Sequence, residues 1–395
     1  MSSDYENLIK FFEKSSHKEI ITNLPKILTS MTDFCDKNLG SGAMGTVHER
    51  KFGETIDLMI HQTIIKFPIV VKRPNNIGTF RMILVEDYLF LISNFNIIVE
   101  AIILYYLSDL WYKGKTPHVP FMIAMNKCYP EPEVLVDLLI TEKCGLNETI
   151  NIEFDGFMQP FFNLPYWKIP ALQTSLATVM DLIDFCIKFQ KNDMITLPNG
   201  IECNIVELFD NILISFLHTA YFIFKECKVT LSDMHSRNIL IYWLGENSWM
   251  ADMNLSEIKN IVYKTKSKLL QINTFGFIIK IGDVGTCIMT PKPKLYLIGQ
   301  MTREPDPAYM DYYDKQNSEY TDFIFSLMKA LPYKLFTKTL AGKIMASHPF
   351  NQLRLFSDGV NSSLGLPTPE ALLETDLFSD YHIKNIIDNK STLII

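Results

Sequence analysis

The chain has 395 residues, 48% of them hydrophobic, with 37 basic against 44 acidic side chains and a net charge of −7. That is ample material for a large core in one bilobal unit or two domains, and the acidic balance argues against a general nucleic-acid or anionic-membrane binder, which needs concentrated positive charge. Its seven cysteines are scattered, with no C-x-x-C spacing, so neither a disulfide framework nor a zinc module is suggested and a reducing compartment is expected.

The opening MSSDYENLIKFFEK carries charge early and lacks an apolar h-region, which does not read as a secretory signal; an intracellular, cytoplasmic setting is expected. Heavy use of Ile, Asn, Lys and Phe suits an AT-rich genome such as that of a large DNA virus or a parasite. Residues 5 to 30 place Leu8, Ile9, Phe12, Ile20, Ile21, Leu24 and Leu28 at helical spacings, predicting one or two short amphipathic helices ahead of the core. From Phe34 to Lys72 the pattern turns to strands: a glycine turn, then Thr46 to Phe52, then the β-branched run Thr63 to Val71. A helix follows over Ile97 to Trp111, then strands at Phe121 to Met125 and Val134 to Thr141, then a hinge at Glu142-Lys143-Cys144-Gly145. Beyond residue 170 helices are predicted at Thr174 to Phe189, Val206 to Cys227, Tyr320 to Leu331 and Pro369 to Phe378, with an apolar strand at Ile239 to Tyr242. The most apolar run, Asn211 to Phe224, is shorter than the roughly 20 residues that span a bilayer and reads as a core helix.

Five features in a fixed order carry chemistry. Gly40, Gly42 and Gly45 with Val47 make G-x-G-x-x-G-x-V, in which backbone amides close over phosphate oxygens. A charged edge strand, not a helix, follows the glycines, which disfavours a dinucleotide fingerprint. Lys72 ends a β-branched strand. Glu100 sits in the apolar run Ile97 to Leu104, where a carboxylate is costly to bury unless paired, and Lys72 is its expected partner. Glu86, beside Asp87, is the alternative. Asp233 and Asn238 form a D-x-x-x-x-N loop after a buried helix and before an apolar strand, and Asp283 precedes Val284-Gly285. Together these are the parts that hold ATP with divalent metal and transfer its terminal phosphoryl group.

In this order the motifs resemble the eukaryotic protein-kinase superfamily, as a divergent member, over roughly residues 35 to 380. The TPEALLETDLF stretch near the end resembles the closing helix of such domains. The resemblance implies an α+β bilobal fold, with a small antiparallel β-rich N-lobe at 31–145 after a helical extension at 1–30. A larger, mainly helical C-lobe would occupy 146–395, with a helical insertion near 243–277. It implies ATP and Mg2+ as cofactors. Leu39, Gly40, Ser41, Gly42, Ala43, Met44, Gly45, Val47, Lys72, Glu142 and Cys144 would bind the nucleotide, and Asn238 and Asp283 the metal. Asp233, Lys72, Glu100 and His235 would be catalytic, Asp233 orienting or accepting the proton of the attacking hydroxyl. The acceptor expected is a serine or threonine of a protein, with no nucleic-acid or membrane partner.

The chain also departs from the family. Leu231 and Ser232 stand where most members have His-Arg, so the arginine that pairs with a phosphorylated activation loop is missing. His235 stands where Ser/Thr kinases place lysine, as in aminoglycoside phosphotransferase and choline kinase relatives, which keeps a small-molecule acceptor open. Val284 replaces the usual Phe, and Thr302-Arg303-Glu304-Pro305 matches Ala-Pro-Glu poorly. A pseudokinase scaffold is the alternative from a different class.

Overall fold

The computed structural model describes residues 37–41, 45–49, 55–60, 63–74, 79–85, 88–94, 97–131, 134–146, 150–152, 172–244, 258–292, 295–299, 320–347, 367–386 and 391–395. The expected N-terminal helices, Glu86 and the Thr302–Pro305 segment lie outside these residues. Within them the chain mixes helices with small, mainly antiparallel sheets.

The first sheet is built on β4 (Thr63–Pro74). It pairs on one side with β2 (Gly45–Glu49), which forms a hairpin with β1 (Lys37–Ser41), and over its first half with β3 (Thr55–Ile60). On the other side it pairs with β8 (Val134–Glu142), and β7 (Met122–Glu131) follows. Strand alternation decides what β4 presents: Ile69 and Val71 are buried, so Lys72 emerges from the opposite face.

A second sheet runs β13 (Val229–Thr230), β18 (Ile288–Lys292), β19 (Leu295–Ile298), β6 (Tyr88–Asn94) and β5 (Thr79–Val85), joining segments far apart in sequence. Its β19–β6 pairing is parallel and the others are antiparallel. Smaller pairs are β9 (Ile150–Ile152) with β10 (Leu172–Thr174), β11 (Met194–Thr196) with β12 (Glu202–Asn204), and β14 (Ile239–Trp243) with β17 (Phe277–Ile281).

Helix α1 (Ile98–Tyr112) is apolar nearly all round and correspondingly buried. The predicted helix from Thr174 begins later: α2 (Val179–Phe189) starts at a capping box, in which the Thr178 hydroxyl accepts from the Asp181 amide and the Asp181 carboxylate accepts from the Thr178 amide. Helix α3 (Ile205–Cys227) is N-capped by Asn204 and closed by Lys228 in the left-handed region. At 23 residues it is longer than its apolar run suggests, and by length and composition it could cross a membrane, but 83% of its apolar window is buried inside the protein. Further helices are α4 (Tyr320–Ala330), α5 (Tyr333–Phe336), α6 (Leu340–Ser347) and α7 (Pro369–Leu373). One hydrophobic cluster runs from Ile69 and Val71 through α1 and α3 to Phe378.

The expectation of a helical insertion between Trp243 and Phe277 is corrected over the residues described. Strands β15 (Asn260–Lys264) and β16 (Leu269–Asn273) form a hairpin there. It is extended by β20 (His382–Ile383) and by β21 (Thr392–Ile394), whose pairing with β15 is parallel. Leu270 and Ile272 are buried while Leu269, Gln271 and Asn273 are not, the alternation of a half-buried strand.

Asp210 pins α3 to α6. Its carboxylate accepts from the Leu340 amide at 2.6 Å and from the Tyr381 hydroxyl at 3.2 Å, satisfying an otherwise open helix N-terminus from a distance. Burial is the main influence on it and pushes its pKa up to about 7, against the pull of these two donors and Lys343. A carboxyl whose folded pKa is raised stabilises the fold at low pH, and that contribution is lost as pH rises through the folded value. Asp210→Asn is therefore expected to hold its urea midpoint while the wild type loses stability relative to it between about pH 4 and 7, with no further relative loss above that. Parallel curves for the two proteins would refute this reading.

Candidate active site

The Lys72 ammonium is the centre of the site. Its Nζ lies 2.8 Å from both carboxylate oxygens of Glu100 and 2.9 Å from Oδ1 of Asp283. The strand β4, the first turn of α1 and the end of β17 thus meet at one cation. Glu100 is 3% exposed, and its burial pushes its pKa up to about 6 despite the attraction of Lys72. Burial also pushes Asp283 upward, but the charge and hydrogen bond of Lys72, with the Gly285 amide, bring it below the usual carboxylate range. For Lys72, burial favours the neutral amine and is outweighed by the two carboxylates, so its pKa is raised.

Asp283 has a left-handed backbone (φ 37°) and caps the 3-10 turn Val284–Thr286, where its Oδ1 accepts from the Gly285 amide at 3.4 Å. Its position is set by the β14–β17 ladder. Ile239 pairs with Ile281, so Asn238 and Gly282 fall side by side, and the Gly282 amide donates to the Asn238 carbonyl at 2.8 Å. A side chain at Gly282 would press on Leu240 Cγ at 2.8 Å and the Asn238 carbonyl at 3.0 Å.

The Asp233–Asn238 loop is closed by its own hydrogen bonds. The Asn238 side-chain amide donates to the Asp233 carbonyl at 2.8 Å, and the backbone amides of His235 and Asn238 donate to the carbonyls of Asp233 and His235. Asp233 takes a left-handed conformation (φ 56°) and leaves its side chain 56% exposed. Partial burial raises its pKa, against the attraction of His235. His235 Nε2 lies 3.8 Å from Asp233 Oδ1. The loop is anchored from below, where the Ser236 amide donates to Ser326 Oγ of α4 and the Ser236 carbonyl accepts from the Met180 amide of α2.

Of the glycine-hairpin residues, Leu39, Gly40 and Ser41 lie on β1 and Gly45 and Val47 on β2, with a register shift between Asn38 and Gly40. Val47 pairs directly across from Lys72. Gly42, Ala43 and Met44 lie outside the described residues. At the expected hinge the side chains turn inward. The Glu142 carboxylate is fully buried against the Lys280 ammonium and accepts from the Phe121 amide at 2.7 Å, and the Cys144 side chain is buried too, its thiol pKa raised by burial. The side chains of both expected hinge residues are therefore interior, leaving only their backbone to face outward contacts.

Lys280 was missed by reasoning from the sequence, although the signal existed. It is a lone charge in a strand of five buried residues, the situation that singled out Glu100. Its Nζ also donates to the Val119 carbonyl at 3.3 Å and lies 4.8 Å from the Tyr242 ring centroid.

No protein-family profile and no curated protein matches the chain. A solved MAP kinase from Leishmania major aligns at 14% identity and a TM-score of 0.24, over 59% of this chain and 49% of that one. The chain thus spans about half the length of that kinase, and a likeness this slight carries no weight in assigning a function.

Removing one partner of a fully buried ion pair strands the other charge, typically at a cost of about 3–5 kcal/mol, whereas replacing both is far milder. Lys280→Met is expected to fall in that range, and Lys280→Met with Glu142→Gln to recover most of it in urea unfolding. Additive losses would show that the two groups do not depend on each other.

Proposed function

We propose that the chain is an ATP- and magnesium-dependent phosphotransferase of bilobal, protein-kinase-like fold, with a serine or threonine hydroxyl of a protein as acceptor. The observation that carries this reading is the meeting of Lys72 with Glu100 and Asp283, residues 28 and 211 positions away in the chain. Chance rarely assembles a strand lysine, a helix glutamate and a turn aspartate around one ammonium beside a D-x-x-x-x-N loop.

The donor set fits magnesium. Asp283 and Asn238 offer hard oxygen ligands on adjacent backbone, and magnesium characteristically takes one or two protein oxygens together with substrate phosphates. When bound, the ion would neutralise charge on the transferring phosphates. Lys72, oriented by Glu100, binds the α and β phosphates. Asp233, exposed at the loop tip, receives the acceptor hydroxyl and takes its proton. His235, close to Asp233 and 40% exposed on its side chain, faces the same approach and supports a second reading, transfer to a small-molecule hydroxyl.

The test is transfer of labelled γ-phosphate to the chain itself, to a basic protein and to a panel of aminoalcohols. Label is expected on protein. Asp233→Asn should lower the rate by about a hundredfold or more while nucleotide still binds. Nucleotide affinity should fall as pH drops through about 6, where Glu100 takes up a proton and Lys72 loses that partner. Glu100→Gln should bind more weakly without that fall. Near wild-type turnover in Asp233→Asn would sink the assignment, and label confined to aminoalcohols would decide for the second reading.

A further inference from the structure

On the phosphotransfer reading, on which this proposal rests, the site has to be kept in register without an arginine–phosphate contact. The second sheet gathers the three segments that deliver the site carboxylates. Strand β13 runs into Leu231-Ser232-Asp233, β18 follows the turn that starts at Asp283, and β6 leads into the helix that carries Glu100. Val229 and Thr230 pair with Met289 and Ile288, and Leu295 to Ile298 pair in parallel with Leu89 to Ile92. The sheet has its own small core of Phe90, Ile92, Ile288, Tyr296 and Ile298, in which the Phe90 and Tyr296 rings stack with centroids 5.4 Å apart.

Further contacts tie this sheet to the site. Gly299, at the end of β19, lies against the Asp283 turn so closely that a Cβ there would fall 1.9 Å from the Gly285 carbonyl oxygen, and its amide donates to the Cys287 carbonyl at 3.0 Å. Gly285 in turn sits under the Glu100 carboxylate, with Oε2 3.2 Å from where its own Cβ would be. The Thr286 hydroxyl donates to the Ser232 carbonyl at 3.0 Å, beside the position where the chain lacks an arginine.

The geometry points to this sheet as a built-in brace that performs the ordering task an arginine–phosphate contact performs elsewhere. Gly299 and the Phe90–Tyr296 stack are its positioning residues, holding the Asp283 turn against Lys72 and Glu100. Extended segments paired on both sides are already ordered, so no added charge is needed to fix them. The Gly299–Gly285 contact transmits the register because backbone meets backbone, with no flexible side chain to absorb a shift.

The experiment compares wild type with Gly299→Ala, Tyr296→Ala and the conservative Tyr296→Phe, by amide hydrogen exchange and by steady-state kinetics on the full chain. Faster exchange is expected at 283–290 and at 97–104 in Gly299→Ala and Tyr296→Ala, with Tyr296→Phe restored to the wild-type pattern. Sub-ångström misplacement of reacting groups is expected to lower kcat at least about tenfold in the first two variants, with the acceptor KM unchanged. Phosphatase treatment of wild type is expected to leave kcat as it was. Wild-type exchange at 283–290 in folded Gly299→Ala and Tyr296→Ala would overturn the brace, as would a wild-type rate that collapses on dephosphorylation. A wild type that transfers no phosphate to any acceptor would instead overturn the phosphotransfer reading, and the exchange data alone would then decide the brace.

Discussion

Lys72 holds two carboxylates at once, and the surroundings of that trio derive from its charge. One ammonium and two carboxylates leave a surplus negative charge in a site where Glu100 is nearly inaccessible and Asp283 is one-third exposed. The surplus is felt unequally. Asp283 stays ionised because Lys72 and the Gly285 amide favour its charged form, while Glu100, deeper, is pushed toward the neutral acid. The exposed end of this arrangement is the one Asp283 presents.

Rigid ladders, not loops, deliver these groups. Lys72 is fixed by β2 and β8 on either side of β4, and the antiparallel register of Ile239 with Ile281 places Asn238 beside the residue before Asp283. The same strand β17 carries Lys280, whose buried pairing with Glu142 ties the end of β8 to a point three positions before Asp283. Such a pair is weak evidence for net stability, and a slip of register would strand a charge in the interior.

Much of the site was legible because burial costs are legible. Glu100 was recognisable as a carboxylate with no tolerable solution but a cation, and Lys72 as the strand-end cation available. Lys280 carried the same signal in Phe277–Ile281 and went unread, which also hid why Glu142 turns inward. The β5–β6 hairpin was not predicted, because the sequence between its strands, Glu86-Asp87, offers no glycine or asparagine to mark a tight turn. The β15–β16 hairpin escaped for a related reason. Its turn is closed by the Thr265 hydroxyl and by the Thr265 amide donating to the Lys268 carbonyl, with no glycine or proline to announce it. Long-range pairings such as β19 with β6 have no local signature at all, since parallel register is decided by tertiary packing.

The most direct test of a metal-assisted phosphotransfer site at Lys72 is a crystal structure grown with a non-hydrolysable ATP analogue and manganese in place of magnesium, with the metal located by its anomalous scattering. An anomalous peak bonded to Asp283 and Asn238 is expected, with Lys72 Nζ between the Glu100 carboxylate and the analogue's phosphates. Manganese bound elsewhere, or Lys72 paired with neither Glu100 nor a phosphate, would contradict that assignment.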